Sequence, residues 1–361
     1  MSTSLQRETG RLGYVPALDG LRGVAILLVL GYHVHWIPGG FLGVDVFFVL
    51  SGFLITTLLL QEWGRDRAIS FRAFYLRRAR RLLPALFALL ATVGVLAALD
   101  AAAGRTNEAR QIASSIAVCL LYVANIWRVG GHTLAGPLTQ MWTLAQEEQF
   151  YFVWPPLLFL ALRYGVRLRR LAVGLALATL AVMAWRLHVG PGARSYFSPD
   201  THGDPLIVGC LLAVLRHQRL LARVNAATVA VALAAIASAV VLVTGAGSFY
   251  WAAFAVPAAE LSTAVVIAAA LQERSLVGRL LSFTPLVRIG VISYGLYVWQ
   301  ALVLTGLAGQ SGRYPSILVH SVAVVASIGV AMLSYRYVEQ PFRKRRSASR
   351  APAAALTAPA A

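Results

Sequence analysis

The chain has 361 residues, of which 58% are hydrophobic and only 13% charged, with a mean hydropathy of +0.70. That balance excludes a string of soluble domains and predicts an all-α, polytopic transmembrane helical bundle. The formal charge of +18 comes from 32 basic residues, all but Lys344 being arginine, against 14 acidic ones. These arginines stand in short loops between apolar runs, so they read as topology signals, and no nucleic-acid partner is expected.

In chain order, residues 1–17 form a polar arm with Arg7, Glu8 and Arg11, expected on the cytoplasmic face. Candidate spans follow at 20–37, 41–61, 82–99, 142–162, 171–188, 204–216, 225–244, 249–271, 286–308 and 316–338, about ten in all. Several are near or below the ~20 residues that cross a bilayer upright. The segment 112–127 is read as re-entrant or interfacial, because an eleventh span would put an arginine-rich loop, 62–81 or 163–170, outside. Both termini are then cytoplasmic, and the protein is expected in the inner (plasma) membrane. No small-residue cleavage site follows the first apolar run, which is expected to stay as a transmembrane helix. One transmembrane domain covers 18–342. From 343 the tail begins Arg343-Lys344-Arg345-Arg346 and decays into an Ala/Pro-rich stretch expected to be disordered. Cys119 and Cys210 lie inside apolar segments and read as packing residues.

The first two apolar segments carry ionisable groups that lipid makes costly. Arg22 and His33 are eleven residues apart, which on a helix is about 16 Å of rise and roughly 20° of rotation, so they share a face at different depths. After the turn at Pro38-Gly39-Gly40, Asp45 is expected at the depth of His33, as an orienting partner for a catalytic base. The plainer reading of His33 is an interfacial histidine, as His35 could be. Arg77, Arg78, Arg80 and Arg81 precede Leu82-Leu83-Pro84 and read either as a phosphate-binding wall or as a juxtamembrane cluster touching anionic lipid. Glu147 and Glu148 open an apolar helix and suggest a polar face turned toward a cavity, a pattern repeated by Asp200, His202 and Asp204. Tyr294 lies in an aromatic tract that lines a pocket or forms an interfacial belt. Ser51 reads mainly as a helix-packing serine. No glycine-rich phosphate loop, dinucleotide fingerprint or metal cluster is present, so no permanently bound cofactor or metal is expected.

Together these motifs resemble the acyltransferase-3 family of integral membrane O-acyltransferases over nearly the whole chain. Arg22 to His33 is similar to the family's arginine, ten residues, histidine signature. Gly43-Val-Asp45-Val-Phe-Phe-Val-Leu-Ser-Gly-Phe53 resembles its second-helix motif, and Phe74-Tyr-Leu-Arg77-Arg78-Ala-Arg80-Arg81-Leu-Leu-Pro84 its arginine-rich segment. Trp142-Thr-Leu-Ala-Gln-Glu147-Glu148-Gln-Phe-Tyr151 resembles its glutamate-containing element, with Thr143 where serine is usual. Ser293-Tyr294 to Gln300 and Tyr337-Val-Glu339-Gln-Pro-Phe-Arg343 resemble its closing motifs. His202 stands where the resemblance leads one to expect arginine.

The resemblance implies a ten-span bundle that O-acylates a hydroxyl with a cytoplasmic acyl-coenzyme A, acetyl-coenzyme A in the first instance, as donor substrate. It makes His33 the base or transient acyl carrier, Asp45 its orienting group, and Glu147 a residue that shapes the acceptor site. Arg22, Arg77, Arg78, Arg80 and Arg81 hold the donor's phosphates, while Glu148, His202, Asp204 and Tyr294 are assigned to the acceptor. The acceptor is a cell-envelope carbohydrate or a macrolide-like metabolite, with membrane lipid as surroundings. A proton-coupled permease using His33, Asp45, Glu147 and Asp204 as a relay is the competing reading, though no inverted repeat with paired broken helices supports it. A structural membrane subunit is the third.

Overall fold

A computed structural model describes residues 12–243, 248–273, 275–308 and 314–344. Residues 1–11 of the expected arm (1–17) and 345–361 of the expected tail (343–361) lie outside the described residues. Every described element is helical. In order these are α1 (Pro16–His33), a 3-10 turn at Gly40–Leu42, α2 (Gly43–Asp66), α3 (Phe71–Ala102), α4 (Thr106–Leu120), α5 (Ala124–Val129), α6 (Met141–Arg163) and α7 (Leu168–Val189). The short α8 (Ala193–Phe197) and α9 (Pro199–His202) lead into α10 (Asp204–His217) and α11 (Ala226–Leu242). A π turn at Trp251–Ala255 opens α12 (Val256–Ala270), followed by α13 (Leu276–Leu281), α14 (Thr284–Val291) and α15 (Ser293–Ala308). Finally α16 (Ser316–Leu333) runs through a π turn, Ser334–Glu339, into α17 (Gln340–Lys344).

Among the described residues, five helices are long and apolar enough to cross a membrane: Gly40–Asp66, Phe71–Ala102, Leu168–Val189, Trp251–Ala270 and Ser316–Arg343. The pair α14 and α15, bent by 70°, makes a sixth if it is one span. The expected ten is not reached on this measure, although each expected segment lies on a helix. The shortfall has two causes. α10 has 14 residues and α11 has 17, rises of about 21 and 26 Å against a hydrocarbon core of about 30 Å. α1 and α6 have their apolar runs interrupted by Asp19 and Arg22 and by Glu147 and Glu148. The segment 112–127 is not one helix either: α4 ends at Leu120, Tyr122 takes a left-handed conformation (φ 53°), and α5 restarts at Ala124.

α2 is the centre of the bundle, with 78% of its apolar window buried, whereas α7 and α16 bury only 22% of theirs and turn their apolar faces outward. The most extensive packing is between α2 and α10, and glycines make it possible. A Cβ at Gly52 would stand 2.0 Å from the Leu206 carbonyl oxygen, and one at Gly209 would stand 2.1 Å from that of Val49. The atoms met are backbone, which cannot swing aside, so small residues set the crossing distance. Gly209→Ala is expected to lower stability by roughly 1–3 kcal/mol, the usual cost of overpacking. Thermal unfolding in detergent measures this, and an unchanged midpoint would show that the crossing is looser than described.

Candidate active site

α1 starts at Pro16, where a missing backbone donor costs nothing, and carries Asp19 in its first turn. Arg22 Nη1 donates to Asp19 Oδ1 at 2.8 Å, which holds the guanidinium at this end of the bundle. His33 is the last residue of the same helix. Its Nδ1 lies 2.8 Å from the Val29 carbonyl oxygen one turn back. A carbonyl only accepts, so Nδ1 carries the proton and the lone pair of the neutral ring is on Nε2.

Asp45 does not orient His33. The buried carboxylate accepts from His202, Oδ1 to Nε2 at 2.8 Å, and the other ring nitrogen of His202 donates to the Tyr196 carbonyl at 2.8 Å. The reason lies in the face of α2 on which Asp45 sits. Residues 45, 49 and 52 share that face, and it is the face pressed against α10 through the Gly52 and Gly209 contacts. The side of the helix on which Asp45 sits was set by a partner far away in sequence.

Two cavities meet beside α2. The central one, about 310 Å³, is lined by Arg22, Arg78 and Arg81 and by Ser51, Glu147, Tyr151, Tyr294 and Tyr297. Glu147 accepts from the Ser51 hydroxyl at 2.7 Å. The second, about 440 Å³, is lined by His33, Tyr32, Arg128, Gln140, Trp142 and Tyr196. Val44 and Tyr297 belong to both walls. The Tyr297 hydroxyl donates to the Gln140 carbonyl at 3.0 Å and stands 2.6 Å from Thr143 Oγ1, so α15 is tied to α6 where the cavities adjoin.

The structure sorts the expected site residues differently from the sequence. Of the five arginines assigned to the donor, Arg22, Arg78 and Arg81 converge on the central cavity. Arg77 and Arg80 do not, because one-residue steps along a helix rotate them to its exposed side, where Arg77 lies 3.7 Å from Glu62. Glu148 pairs with Arg78 at 3.1 Å, and Tyr294 donates to the Leu82 carbonyl at 2.7 Å, so both belong to the arginine-lined side and not to the His33 cavity. Glu147 likewise lines the central cavity. His202 and Asp204 are fully buried behind the His33 cavity and line neither. Among the described residues no group of three or more histidines, cysteines and carboxylates is placed to hold a metal ion.

Behind that wall lies a buried ion pair that the sequence did not reveal. Arg186 Nη1 reaches both oxygens of Asp204, at 2.8 and 2.7 Å, and also donates to the Thr201 carbonyl, while Nε donates to that of Ala252. All of this is inaccessible to solvent. In the sequence Arg186 is one basic residue near the end of the expected 171–188 span. The available signal was Asp204, since a carboxylate in a membrane segment needs a cationic partner. Tyr297 was the other omission, hidden in an aromatic tract from which Tyr294 alone was chosen.

With this geometry in view, residues 15–336 match the acyltransferase-3 family, described as an acyltransferase domain. The chain is 32% identical over 355 residues to the peptidoglycan O-acetyltransferase OatA of Listeria monocytogenes. It is 35% identical over 374 residues to the putative peptidoglycan O-acetyltransferase YrhL of Bacillus subtilis, and 31% identical over 362 to a putative O-acetyltransferase of Staphylococcus aureus. The three alignments cover 92%, 96% and 92% of this chain and 56%, 58% and 58% of the relatives, so the chain spans somewhat more than half of their length. No solved structure matches. The chain belongs to the acyltransferase-3 family of membrane acyltransferases, which transfer groups other than aminoacyl groups, and that membership does not favour the permease reading.

Proposed function

We propose that the chain is a ten-span O-acyltransferase of the plasma membrane, with both termini cytoplasmic, that moves an acyl group, acetyl in the first instance, from acyl-coenzyme A to a hydroxyl of an envelope glycan. The observation that carries this reading is the pair of adjoining cavities, one lined by Arg22, Arg78 and Arg81 and the other by His33, with Tyr297 and Val44 in both walls. Guanidinium forks suit phosphate oxygens. A neutral imidazole whose Nδ1 is tied to a backbone carbonyl suits removal of a hydroxyl proton. Placing the arginines inside follows the charge asymmetry of the loops.

In this scheme the thioester arm enters the central cavity past the arginines and its carbonyl meets the acceptor hydroxyl near Tyr297. His33 Nε2 takes the hydroxyl proton as the oxygen attacks the carbonyl carbon. The carbon–oxygen bond forms, the carbon–sulfur bond breaks, and the proton passes to the leaving thiolate. Asp45 acts at one remove, holding His202 and through it the Tyr196 segment that walls the acceptor side. The relatives' names favour peptidoglycan as the acceptor class, and a macrolide hydroxyl is the alternative that the assay includes.

The test is thiol release from acetyl-coenzyme A by the full chain in nanodiscs, with peptidoglycan fragments and macrolides as acceptors. Acceptor-dependent release is the expected result. Arg22→Ala is expected to raise KM for the donor about 10-fold or more, the weight of a hydrogen bond to a charged group, with kcat little changed. An unchanged donor KM would remove Arg22 from the donor site.

A further inference from the structure

Among the described residues that line the His33 cavity, Arg128 is the only one with a permanent charge, and no aspartate or glutamate shares that wall. It sits half-buried near the end of α5. Amide hydrogen bonds hold α5 against α6: Asn125 Nδ2 donates to Gln149 Oε1 at 3.2 Å, and Gln149 Nε2 donates back to Asn125 Oδ1 at 2.9 Å and to the Tyr122 carbonyl at 2.8 Å. Three residues beyond Asn125, the Arg128 guanidinium stands over the Phe197 ring of α8, 4.6 Å from its centroid.

That ring contact engages the charge and uses none of the five N–H donors. The arginines behind the same wall are paired, Arg186 with Asp204 and Arg194 with Asp200, each at 2.7 Å. Arg128 differs: among the described residues no carboxylate lies within 4 Å of it and no hydrogen bond reaches its guanidinium. A half-buried cation without an acceptor is unfavourable, and an anion entering the cavity removes the penalty. The fork of a guanidinium matches the two oxygens of a carboxylate. Trp142 and Tyr196, with ring centroids 4.8 Å apart, supply aromatic surface beside it. Aromatic walls with a few placed polar groups are what orients a small ligand.

We infer that Arg128 determines acceptor specificity and that the acceptor is an acidic sugar, whose carboxylate is held by Arg128 while its hydroxyl faces His33. The inference rests on the O-acyltransferase reading, with the acceptor in the His33 cavity. A macrolide with a protonated amino sugar would meet Arg128 with like charge, so the same residue discriminates against it.

Thiol release from acetyl-coenzyme A by the full chain in nanodiscs is measured with two acceptors: the disaccharide of N-acetylglucosamine and N-acetylmuramic acid, which has a free carboxylate, and its neutral methyl ester. The wild type is expected to show a KM for the acid at least 10-fold below that for the ester, the weight of a hydrogen bond between charged groups. Arg128→Gln is expected to raise the KM for the acid to that for the ester, with the loss in KM and not in kcat, and Arg128→Lys to restore part of the preference. Equal KM values in the wild type, a comparison that needs no variant, overturn the inference and leave the O-acyltransferase reading standing; so does a preference that persists in Arg128→Gln. An equal fall in kcat for both acceptors would place Arg128 at the reacting carbonyl and overturn it as well. A lower KM for a glycerol phosphate oligomer than for the acid would assign the charge to a phosphate, and the sugar-acid assignment falls. No release with any acceptor overturns both readings.

Discussion

His33→Ala is expected to lower acceptor-dependent thiol release by roughly 10²–10⁴-fold, the usual consequence of losing a general base. The size follows from the surroundings. The imidazole is held in one tautomer by the Val29 carbonyl, which leaves Nε2 as the basic atom at the cavity wall. No carboxylate stands ready to replace it, since Asp45 is engaged with His202 and Glu147 lies in the other cavity with Ser51. His35 cannot take over, because the chain has already turned there (φ 59°) and its ring faces His320. Donor binding should survive, as Arg22 is about 16 Å away along the helix. His33→Gln sharpens the test by keeping a donor for Val29 without a base, and it is expected to be as inactive as His33→Ala. A folded His33→Ala protein with full turnover would remove the base from the scheme.

The second large effect is on stability. Arg186→Ala leaves the buried Asp204 carboxyl without its ion-pair partner and orphans the Thr201 and Ala252 carbonyls. Breaking a buried pair in this way costs about 3–5 kcal/mol. The unfolding midpoint in detergent should fall sharply, and activity should fall with it, because Ala193, Tyr196 and Phe197, just before the paired segment, form part of the wall of the His33 cavity. Replacing both partners, Arg186→Met with Asp204→Leu, is expected to recover much of the loss, since an apolar pair leaves no uncompensated charge. A single variant as stable as the wild type would mean that water or lipid reaches Asp204.

The helices were legible because their signal is local. Each expected apolar segment lies on a helix, since an apolar run must satisfy its backbone within itself in lipid. Placing Arg22 and His33 on one helix at different depths needed only the helical repeat. The expected count of ten spans went further than the observed lengths, because α10 and α11 are short and α1 and α6 carry charge.

Partnerships were less legible, because they depend on which helices pack together. Nothing near Asp45 in sequence says that its face of α2 meets α10, and so its pairing with His202 could not be read. Nothing near Arg186 points to Asp204, eighteen residues away across two short helices. The arginine run looked uniform along the chain, yet rotation about α3 sends Arg78 and Arg81 to a cavity and Arg77 and Arg80 to the exterior. The sequence by itself determined the chemistry available: a helical bundle, a histidine at one end of its first helix and an excess of arginines at the other. Tertiary structure alone decided which of those groups meet, because contact depends on helix faces and close glycine crossings that bring distant residues together.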